Sequence, residues 1–377
     1  MKWISMTLIL LLLCAGCIPK SPIEKLGIIT AMGFDELEGD KMKGTLVMFQ
    51  FDPTTSQTSQ TVTSEAHTSK GIRNEANQKT SHKLVSGQIR LKVYQDQLAS
   101  KGLLRYLDTV TRDAKMLPLA YLSVSDVPTS QLLRAEISED APNIGKYIER
   151  LIEKSITNEM SPDATVVTFL RDYHDIGVDP TLPLLSLEEQ RVFIKGLGLF
   201  QDDRYVGTLT DEDIFYLLLL QKNLKIGQLQ IELPESSMEK YYKKEAADNE
   251  TEGSLHVSIH KVDSKVKIKP KKNDPSSFKV NLTMRTRLLE VSKSVDLSEK
   301  KTIDSLEKQI EKQIEKRMSA LIQEFKEKQV DPVGFGLKYN TITRKDRLTN
   351  ESWRDQIPNM SVDFNVDVKL LRHGITE

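Results

Sequence analysis

The sequence predicts an α+β protein of more than one domain, in which mixed and antiparallel sheets pack against helices. In several segments apolar and polar residues alternate, which indicates half-buried strands; in others apolar residues recur every three or four positions, which indicates helices. Both kinds of segment occur throughout the chain. A chain of 377 residues is also long enough for two or three hydrophobic cores.

The first segment has the features of an export signal. Lys2 supplies a positive start, residues 4–13 are almost all apolar, and the small residues Ala15 and Gly16 follow. A helix that spans a bilayer needs about 20 apolar residues, so a transmembrane anchor is the weaker interpretation. We predict that residues 1–16 are a signal peptide and that residues 17–22 are a short tether.

The cysteine that follows Ala15 and Gly16 makes this signal resemble a bacterial lipobox. In a lipobox the signal peptidase cleaves before the cysteine, whose sulfur carries a diacylglyceryl group. We predict lipidation at Cys17 rather than at Cys14, because Cys14 follows Leu13 and has no small residue at the cleavage point. An ordinary secretory signal with a chance cysteine is the alternative.

Residues 23–189 are predicted to form an N-terminal α/β domain. Pro180 and Pro183 fall in residues 179–187, which we interpret as the end of this domain. Before them we predict a hairpin of strands at residues 26–34 and 44–51, a Ser/Thr/Gln-rich loop at 54–63, a polar helix at 64–83 and a half-buried strand around Ile89, Leu91 and Val93. These are followed by a helical segment from Leu98 to the Arg112-Asp113 pair, a strand at 119–124, a helix at 143–156 and a further helix beginning at Pro162-Asp163.

Residues 190–377 are predicted to form a C-terminal domain with an antiparallel sheet and one long helix. Seven apolar residues from Ile303 to Phe325 recur every three or four positions, which predicts an amphipathic helix at residues 298–329. The other predicted elements are a hairpin of strands at 192–199 and 205–209, a helix at 210–220 with Thr210 as N-cap, a loop or short helix at 235–253, two long strands at 254–269 and 278–291, and a closing strand at 362–370.

Composition excludes some classes of partner and chemistry. The formal net charge is -1, and loss of Lys2 with the signal would make it -2. This balance argues against a nucleic-acid partner, because phosphate binding requires an excess of clustered Lys and Arg. The two cysteines are Cys14 and Cys17, so an acylated Cys17 leaves no thiol for a disulfide, a metal or a nucleophile.

No motif in the chain predicts a catalytic, cofactor or metal site. His256 and His260 lie in an alternating segment, where residues four apart are separated by about 13 Å, too far for one metal ion. Gly196-Leu197-Gly198 lacks the third glycine of a dinucleotide fingerprint. Lys265, Lys267 and Lys269 share one strand face; this face is either a solvated or edge-protecting surface, or a contact with anionic lipid headgroups.

Several stretches, taken in order, resemble the Ger(x)C family, the lipoprotein C subunits of nutrient germinant receptors in spore-forming bacteria. They span nearly all of the mature chain. The stretches are residues 26–53, residues 98–124 with the Arg112-Asp113 pair, residues 195–209, Gly334-Phe335-Gly336, Trp353 with Ile357-Pro358, and residues 362–375.

The resemblance implies a multi-domain α+β fold and a non-enzymatic subunit. It further implies that acylated Cys17 holds the chain in membrane lipid at the outer face of the spore inner membrane, where it works with the integral-membrane A and B subunits in the response to small nutrients. The family provides no catalytic residues to transfer. Two alternatives stay open: a solute-binding lipoprotein that captures a nutrient directly, and a cell-envelope hydrolase, for which no base and nucleophile are located.

Overall fold

A computed structural model describes residues 22–51, 58–107, 119–137, 141–242, 254–271, 274–343 and 347–371. Within these ranges the chain forms two sheets with helices packed on them, as the predicted α+β class requires. The predicted segment 98–113 is described only in part: it contains the short helix α2 (Asp96–Ala99) and helical residues 104–107, and the Arg112-Asp113 pair lies outside the described residues.

The first sheet has nine strands. Eight follow the order β3-β2-β1-β5-β6-β7-β8-β9, and β4 pairs with β1. The strands are β1 (Leu26–Glu36), β2 (Met42–Gln50), β3 (Ser59–Ala66), β4 (Lys83–Val85), β5 (Leu91–Gln95), β6 (Tyr121–Ser125), β7 (Thr181–Glu188), β8 (Arg191–Gln201) and β9 (Arg204–Leu209). The other helices of this half are α1 (Ser69–Gln78), α3 (Thr129–Leu132), α4 (Ile144–Thr157) and α5 (Val166–His174).

The predicted hairpin of β1 and β2 is confirmed, whereas three neighbouring predictions are wrong. The predicted loop at 54–63 contains the start of β3, which pairs with β2. The predicted helix at 64–83 shortens to α1, because the Thr68 side chain accepts a hydrogen bond from Gly71 N–H and caps it there. The strand around Leu91 is fully buried instead of half-buried, because Leu91 and Val93 pack into one core and Tyr94 packs into the core on the other face of the sheet.

The helix predicted at 143–156 is confirmed as α4, whereas the next helix begins later than predicted. Asn143 caps α4 by accepting from Lys146 N–H at 2.9 Å. The prediction that a helix starts at Pro162-Asp163 is wrong, because Thr165 is the N-cap and its hydroxyl accepts from Thr168 N–H. The Asp163 carboxylate instead accepts from Thr165 N–H at 2.9 Å and closes the turn before α5.

The segment interpreted as the end of the first domain is an inner strand of the sheet. β7 is parallel to β6 and antiparallel to β8. Proline has no backbone N–H group to donate to a neighbouring strand. Pro183 is compatible with this position because β7 pairs with β6 at Leu184 and Leu185, after the proline. The sheet therefore continues across the predicted boundary between residues 189 and 190, through the confirmed hairpin of β8 and β9, and the boundary itself stays a prediction.

The second sheet has four strands in the order β10-β11-β12-β13. They are β10 (Gln228–Leu233), β11 (Leu255–Lys271), β12 (Asp274–Val291) and β13 (Ser361–Leu371). The helices of this half are α6 (Asp211–Gln221), α7 (Lys300–Lys328), α8 (Phe335–Ile342) and α9 (Asn350–Gln356), with single 3₁₀ turns at Glu235–Ser237, Glu239–Tyr241 and Ile357–Asn359; a further 3₁₀ turn at Ile23–Lys25 precedes β1.

The long helix is confirmed as α7, which buries Leu306, Ile310, Ile314, Met318 and Phe325 in one core with both long strands. The predicted antiparallel sheet is confirmed for β10, β11 and β12 but is wrong for β13, which runs parallel to β12. Parallel neighbours need a long crossover, and α7 provides it. Alternating residues predicted the strand β13 but contained no information about its partner.

Carboxylates of α7 cover the free edge of β13. Glu307, Glu311 and Glu315 accept hydrogen bonds from the backbone N–H groups of Leu370, Val368 and Val366, at 2.8, 2.9 and 3.2 Å. Four residues of a helix advance about 6.0 Å along its axis, and two residues of a strand advance about 6.6 Å. Glutamates spaced four apart on α7 can therefore reach every second residue of β13. Edge N–H groups are a site for pairing with another chain, and here α7 occupies them.

We expect Glu311→Ala to lower the free energy of unfolding by about 1–2 kcal/mol, because it removes a charge-assisted bond to a partly buried N–H group. Glu311→Gln retains an acceptor and should lose less. Urea unfolding measures both, with Asp304→Ala on the exposed side of α7 as the control. Equal stabilities of Glu311→Ala and Asp304→Ala would contradict this role.

Candidate functional site between the two sheets

The predicted lipidation site, Cys17, lies outside the described residues, which begin at Pro22. Lipidation therefore stays a prediction. A fully extended residue spans at most about 3.6 Å, so Pro22 lies within about 18 Å of Cys17. The first 3₁₀ turn, Ile23–Lys25, leads directly into β1. Any anchor on Cys17 would thus hold this end of the first sheet close to a membrane surface.

The histidines considered as metal ligands both lie on one strand of the second sheet. His256 and His260 are on β11, opposite Glu232 and Gln228 of β10. Over the described ranges, no group of three or more His, Cys, Asp or Glu side chains could hold a metal ion. The richest cluster of charged groups lies elsewhere, where the first sheet meets the second half of the chain.

Asp179, immediately before β7, is the centre of this cluster. Its side chain is 3% exposed and receives four hydrogen bonds. Both terminal nitrogens of Arg354, on α9, donate to its two oxygens at 2.7 and 2.8 Å. The backbone N–H groups of Asp202 and Asp331 donate at 3.0 and 2.7 Å. One carboxylate therefore joins β7, the turn between β8 and β9, the segment after α7, and α9.

A second buried carboxylate, Asp331, organises the segment that leads into α8. It accepts from Gly334 N–H at 2.8 Å and from Gly336 N–H at 3.0 Å. Its backbone carbonyl also accepts from Asp179 N–H at 2.9 Å. Burial raises the pKa of Asp331 to about 7, although the backbone hydrogen bonds oppose this rise.

Glycine is required where the two backbones touch. A Cβ atom on Gly177, whose φ is +85°, would lie 2.4 Å from the carbonyl carbon of Gly336. A Cβ atom on Gly336 would lie 2.7 Å from the indole ring of Trp353. Leu337 N–H donates to the Gly177 carbonyl at 2.9 Å across this contact. The Gly-Phe-Gly and Trp motifs of the sequence therefore meet at one junction.

Aromatic packing completes the junction on the side of the second sheet. Phe278, at the start of β12, packs on Phe335 and Trp353 with ring centroids 4.9 and 6.0 Å away. All three side chains are at most 2% exposed. Ile357, from the predicted closing motif, is fully buried in the same core. The junction thus combines a polar half around Asp179 with an apolar half around Phe278.

Sequence reasoning did not identify Asp179, Asp331 or Arg354 as site residues. Arg354 is 175 residues from Asp179 and Asp331 is 152 residues from it, so no local spacing connects them. One local signal was present: both aspartates precede a proline, in Asp179-Pro180 and Asp331-Pro332, and Asp-Pro pairs favour the start of turns. The carboxylate oxygens of Asp179 and Asp331 all accept hydrogen bonds from groups within the protein. This arrangement suits a structural joint between the two halves of the chain.

A separate surface groove of about 670 Å³ lies between α4, β8, α6 and β10. Met160, Ile194 and Ile226 give it apolar walls, and Lys154 and Asp211 contribute charged groups. Burial raises the pKa of Asp211. Glu159, which also lines the groove, accepts from the backbone N–H groups of Lys225 and Ile226 and thereby ties the two halves together a second time.

We expect Arg354→Ala to lower the free energy of unfolding by about 3 kcal/mol, because it leaves the buried Asp179 carboxylate without its ion pair. Arg354→Lys should lose less, since lysine retains the charge but lacks the two-pronged geometry. Chemical denaturation provides the measurement. The control is Arg171→Ala, which breaks an exposed ion pair with Asp172 and should lower the free energy of unfolding by at most about 1 kcal/mol. A similar loss of stability in Arg354→Ala and Arg171→Ala would refute the structural role of the Arg354–Asp179 pair.

Asp331 should make stability depend on pH. Its folded-state pKa of about 7 exceeds the unfolded value of about 4, so between these values the folded chain holds a proton that the unfolded chain has released. The free energy of unfolding therefore falls as pH rises from about 4 to about 7. In Asp331→Asn this contribution should disappear, which unfolding curves at several pH values measure. If the stabilities of the wild type and Asp331→Asn depended on pH in the same way, the contribution of Asp331 would be contradicted. The exposed Asp304→Asn is the control and should keep the pH dependence of the wild type.

Comparison with known proteins assigns both halves of the chain. Residues 19–187 match the family described as spore germination protein, N-terminal domain, and residues 195–374 match the family described as spore germination B3/GerAC like, C-terminal. Together these two matches cover most of the 377 residues. They occur in the order expected for a single two-part family.

Individual relatives agree with this assignment. The spore germination protein GerQC of Bacillus cereus is 25% identical over 377 residues, which cover 100% of this chain and 99% of that protein. The putative spore germination protein YfkR of Bacillus subtilis (strain 168) is 19% identical over 290 residues, 74% of this chain and 70% of that protein.

The crystal structure of the GerBC protein shares the fold. It matches with a TM-score of 0.56 over 90% of this chain and 97% of that chain, at 14% identity. At this identity the match shows the fold alone, and that fold is the multi-domain α+β architecture predicted from the sequence. The two family matches extend over nearly the whole chain in the expected order, and the chain therefore belongs to the GerAC-like family of spore germination proteins, the C subunits of germinant receptors.

Proposed function

We propose that the chain is a lipid-anchored, non-enzymatic C subunit, attached through acylated Cys17 to the outer face of the spore inner membrane and assembled there with the integral-membrane A and B subunits. Membership of the germinant receptor family supports the role in spore germination. The lipobox-like order Ala15-Gly16-Cys17, directly followed by a short tether and β1, is the observation that carries the anchoring.

The energetics of acylation are sufficient for stable attachment. Each buried CH₂ group contributes about 0.8 kcal/mol, and two acyl chains anchor stably where one is marginal. The diacylglyceryl group of a lipoprotein provides two chains. In the described part of the chain, no helix is both long and apolar enough to cross a bilayer.

A rigid body held near the membrane suits a subunit that acts by contact. The Asp179 joint and the Glu159 contact connect the two halves, so one surface can be presented to partners as a unit. The charged groups best placed for chemistry, Asp179 and Asp331, are bound to backbone N–H groups and Arg354. These contacts support an assembly role over catalysis.

Capture of a small nutrient by this chain itself is the second candidate function. The 670 Å³ groove is large enough for an amino acid or a sugar, and it carries both a cation and a carboxylate, Lys154 and Asp211. A ligand that binds only the folded chain raises its Tm in a saturable way. Such a rise with an amino acid or a sugar would favour this alternative over pure assembly.

We expect Cys17→Ala, in a chain that retains residues 1–16, to be absent from the spore membrane fraction after a high-salt wash, to incorporate no labelled palmitate, and to support a weaker germination response to nutrients. Membrane fractionation, fatty-acid labelling and the optical-density fall of germinating spores measure these outcomes.

Cys14→Ala is the matched control, because it removes the other cysteine of the signal and should leave labelling and fractionation unchanged. Cys17→Ala protein that still carries label and remains in the membrane fraction would refute anchoring through this residue. Loss of label only in Cys14→Ala would move the lipidation site to that cysteine. Co-purification with the A and B subunits after mild detergent extraction tests assembly separately.

A further inference from the structure

The outer face of the second sheet is covered by no described helix. On β11, Leu255, Val257, Ile259 and Val262 point into the core that α6 and α7 share. Lys265, Lys267 and Lys269 are exposed on the opposite face. The predicted positions of these lysines on one strand face are therefore confirmed, and the face is open to a large partner.

A fourth lysine joins them on the neighbouring strand. The register places Lys269 of β11 directly opposite Lys279 of β12. Directly opposed residues have Cβ atoms about 4.5–5.5 Å apart, and like charges there are unfavourable. Asn281 and Thr283 lie opposite Lys267 and Lys265, so they supply no compensating carboxylate. We call Lys265, Lys267, Lys269 and Lys279 the basic row.

Carboxylates on this face lie beside the basic row and neutralise it only in part. Asp263 pairs with Lys225 and Asp363 pairs with Lys271, each at 2.9 Å. Asp367 lies on β13 opposite Thr283. Among the described residues, no carboxylate is within 4.0 Å of an ammonium group of the basic row. Asp363 lies directly opposite Lys279 on β13 but pairs with Lys271. The exposed ammonium groups of the basic row can therefore still contact an external anion.

The basic row extends toward the end of the molecule at which the tether enters. β1, β5, β6 and β7 are parallel, so the start of β1 and the joint at Asp179 lie at one end of the first sheet. Phe278, next to Lys279, packs on Trp353 at that joint. The tip of the β11–β12 hairpin therefore lies at the end where Pro22 begins the described chain.

We propose that the basic row is a docking surface for the anionic phospholipid headgroups of a membrane, which orients the protein on the bilayer that anchors it. The proposal rests on the proposed function for the identity of the membrane, not for the binding itself. Lysines near an anionic surface attract it additively, and each raises the partition coefficient about fivefold at moderate ionic strength. Three lysines together therefore raise the partition coefficient about a hundredfold.

The test uses the mature chain, residues 17–377 with Cys17→Ala, so that no acyl chain contributes. Co-sedimentation is measured with vesicles of phosphatidylcholine alone and with vesicles that also contain about 30% phosphatidylglycerol, which gives their surface a negative potential. Binding to the anionic vesicles that weakens with added KCl is expected. The triple variant Lys265→Gln, Lys267→Gln, Lys269→Gln should lower the partition coefficient by about a hundredfold.

The matched control removes three lysines from the exposed side of α7, Lys301→Gln, Lys308→Gln and Lys312→Gln, and should bind like the wild type. An unchanged Tm shows that each variant is folded. The proposal is overturned if the wild type does not bind anionic vesicles, or if both triple variants lose binding equally, which would indicate a net-charge effect. Neither result depends on Cys17, so failure of the anchor and failure of the basic row are distinguishable.

Discussion

Asp179 and Arg354 are 175 residues apart in the chain, yet their charges are joined by two hydrogen bonds in a buried position. Burying a carboxylate is unfavourable unless charged and hydrogen-bonding partners surround it. Asp179 obtains those partners from three other segments, and each must be correctly placed for the carboxylate to be satisfied. This single carboxylate therefore ties the start of β7 to the β8–β9 turn, the segment after α7, and α9.

The apolar half of the junction works differently, through shape. Gly177 and Gly336 approach so closely that neither accepts a Cβ atom, and Trp353 closes over the contact. Close packing of this kind tolerates little change in volume. Hydrogen bonds fix which segments meet, and the glycines fix how closely they meet. The GerAC-like motifs around residues 334–336 and 353 thus have a structural explanation that requires no catalytic role.

Local patterns predicted the elements whose cause is local. The apolar repeat of α7 and the alternation of β11, β12 and β13 gave their positions within a few residues. The parallel direction of β13 and the inner position of β7 depend on strand neighbours, and the burial of both faces of β5 depends on the cores packed on the two sides of the sheet. Alternation encodes none of these. The site residues divide in the same way: adjacent residues are enough to predict lipidation at Cys17, which stays a prediction, whereas Asp179, Asp331 and Arg354 meet only after folding.

The two faces of the second sheet complete the relation between fold and function. Its inner face is closed by α7, which buries an apolar stripe and also covers the β13 edge with Glu307, Glu311 and Glu315. With the β13 edge occupied and the inner face filled, the outer face of this sheet is still covered by no described helix. That surface carries lysines whose ammonium groups form no ion pair with a described carboxylate, and the proposed contact with an anionic membrane agrees with this arrangement.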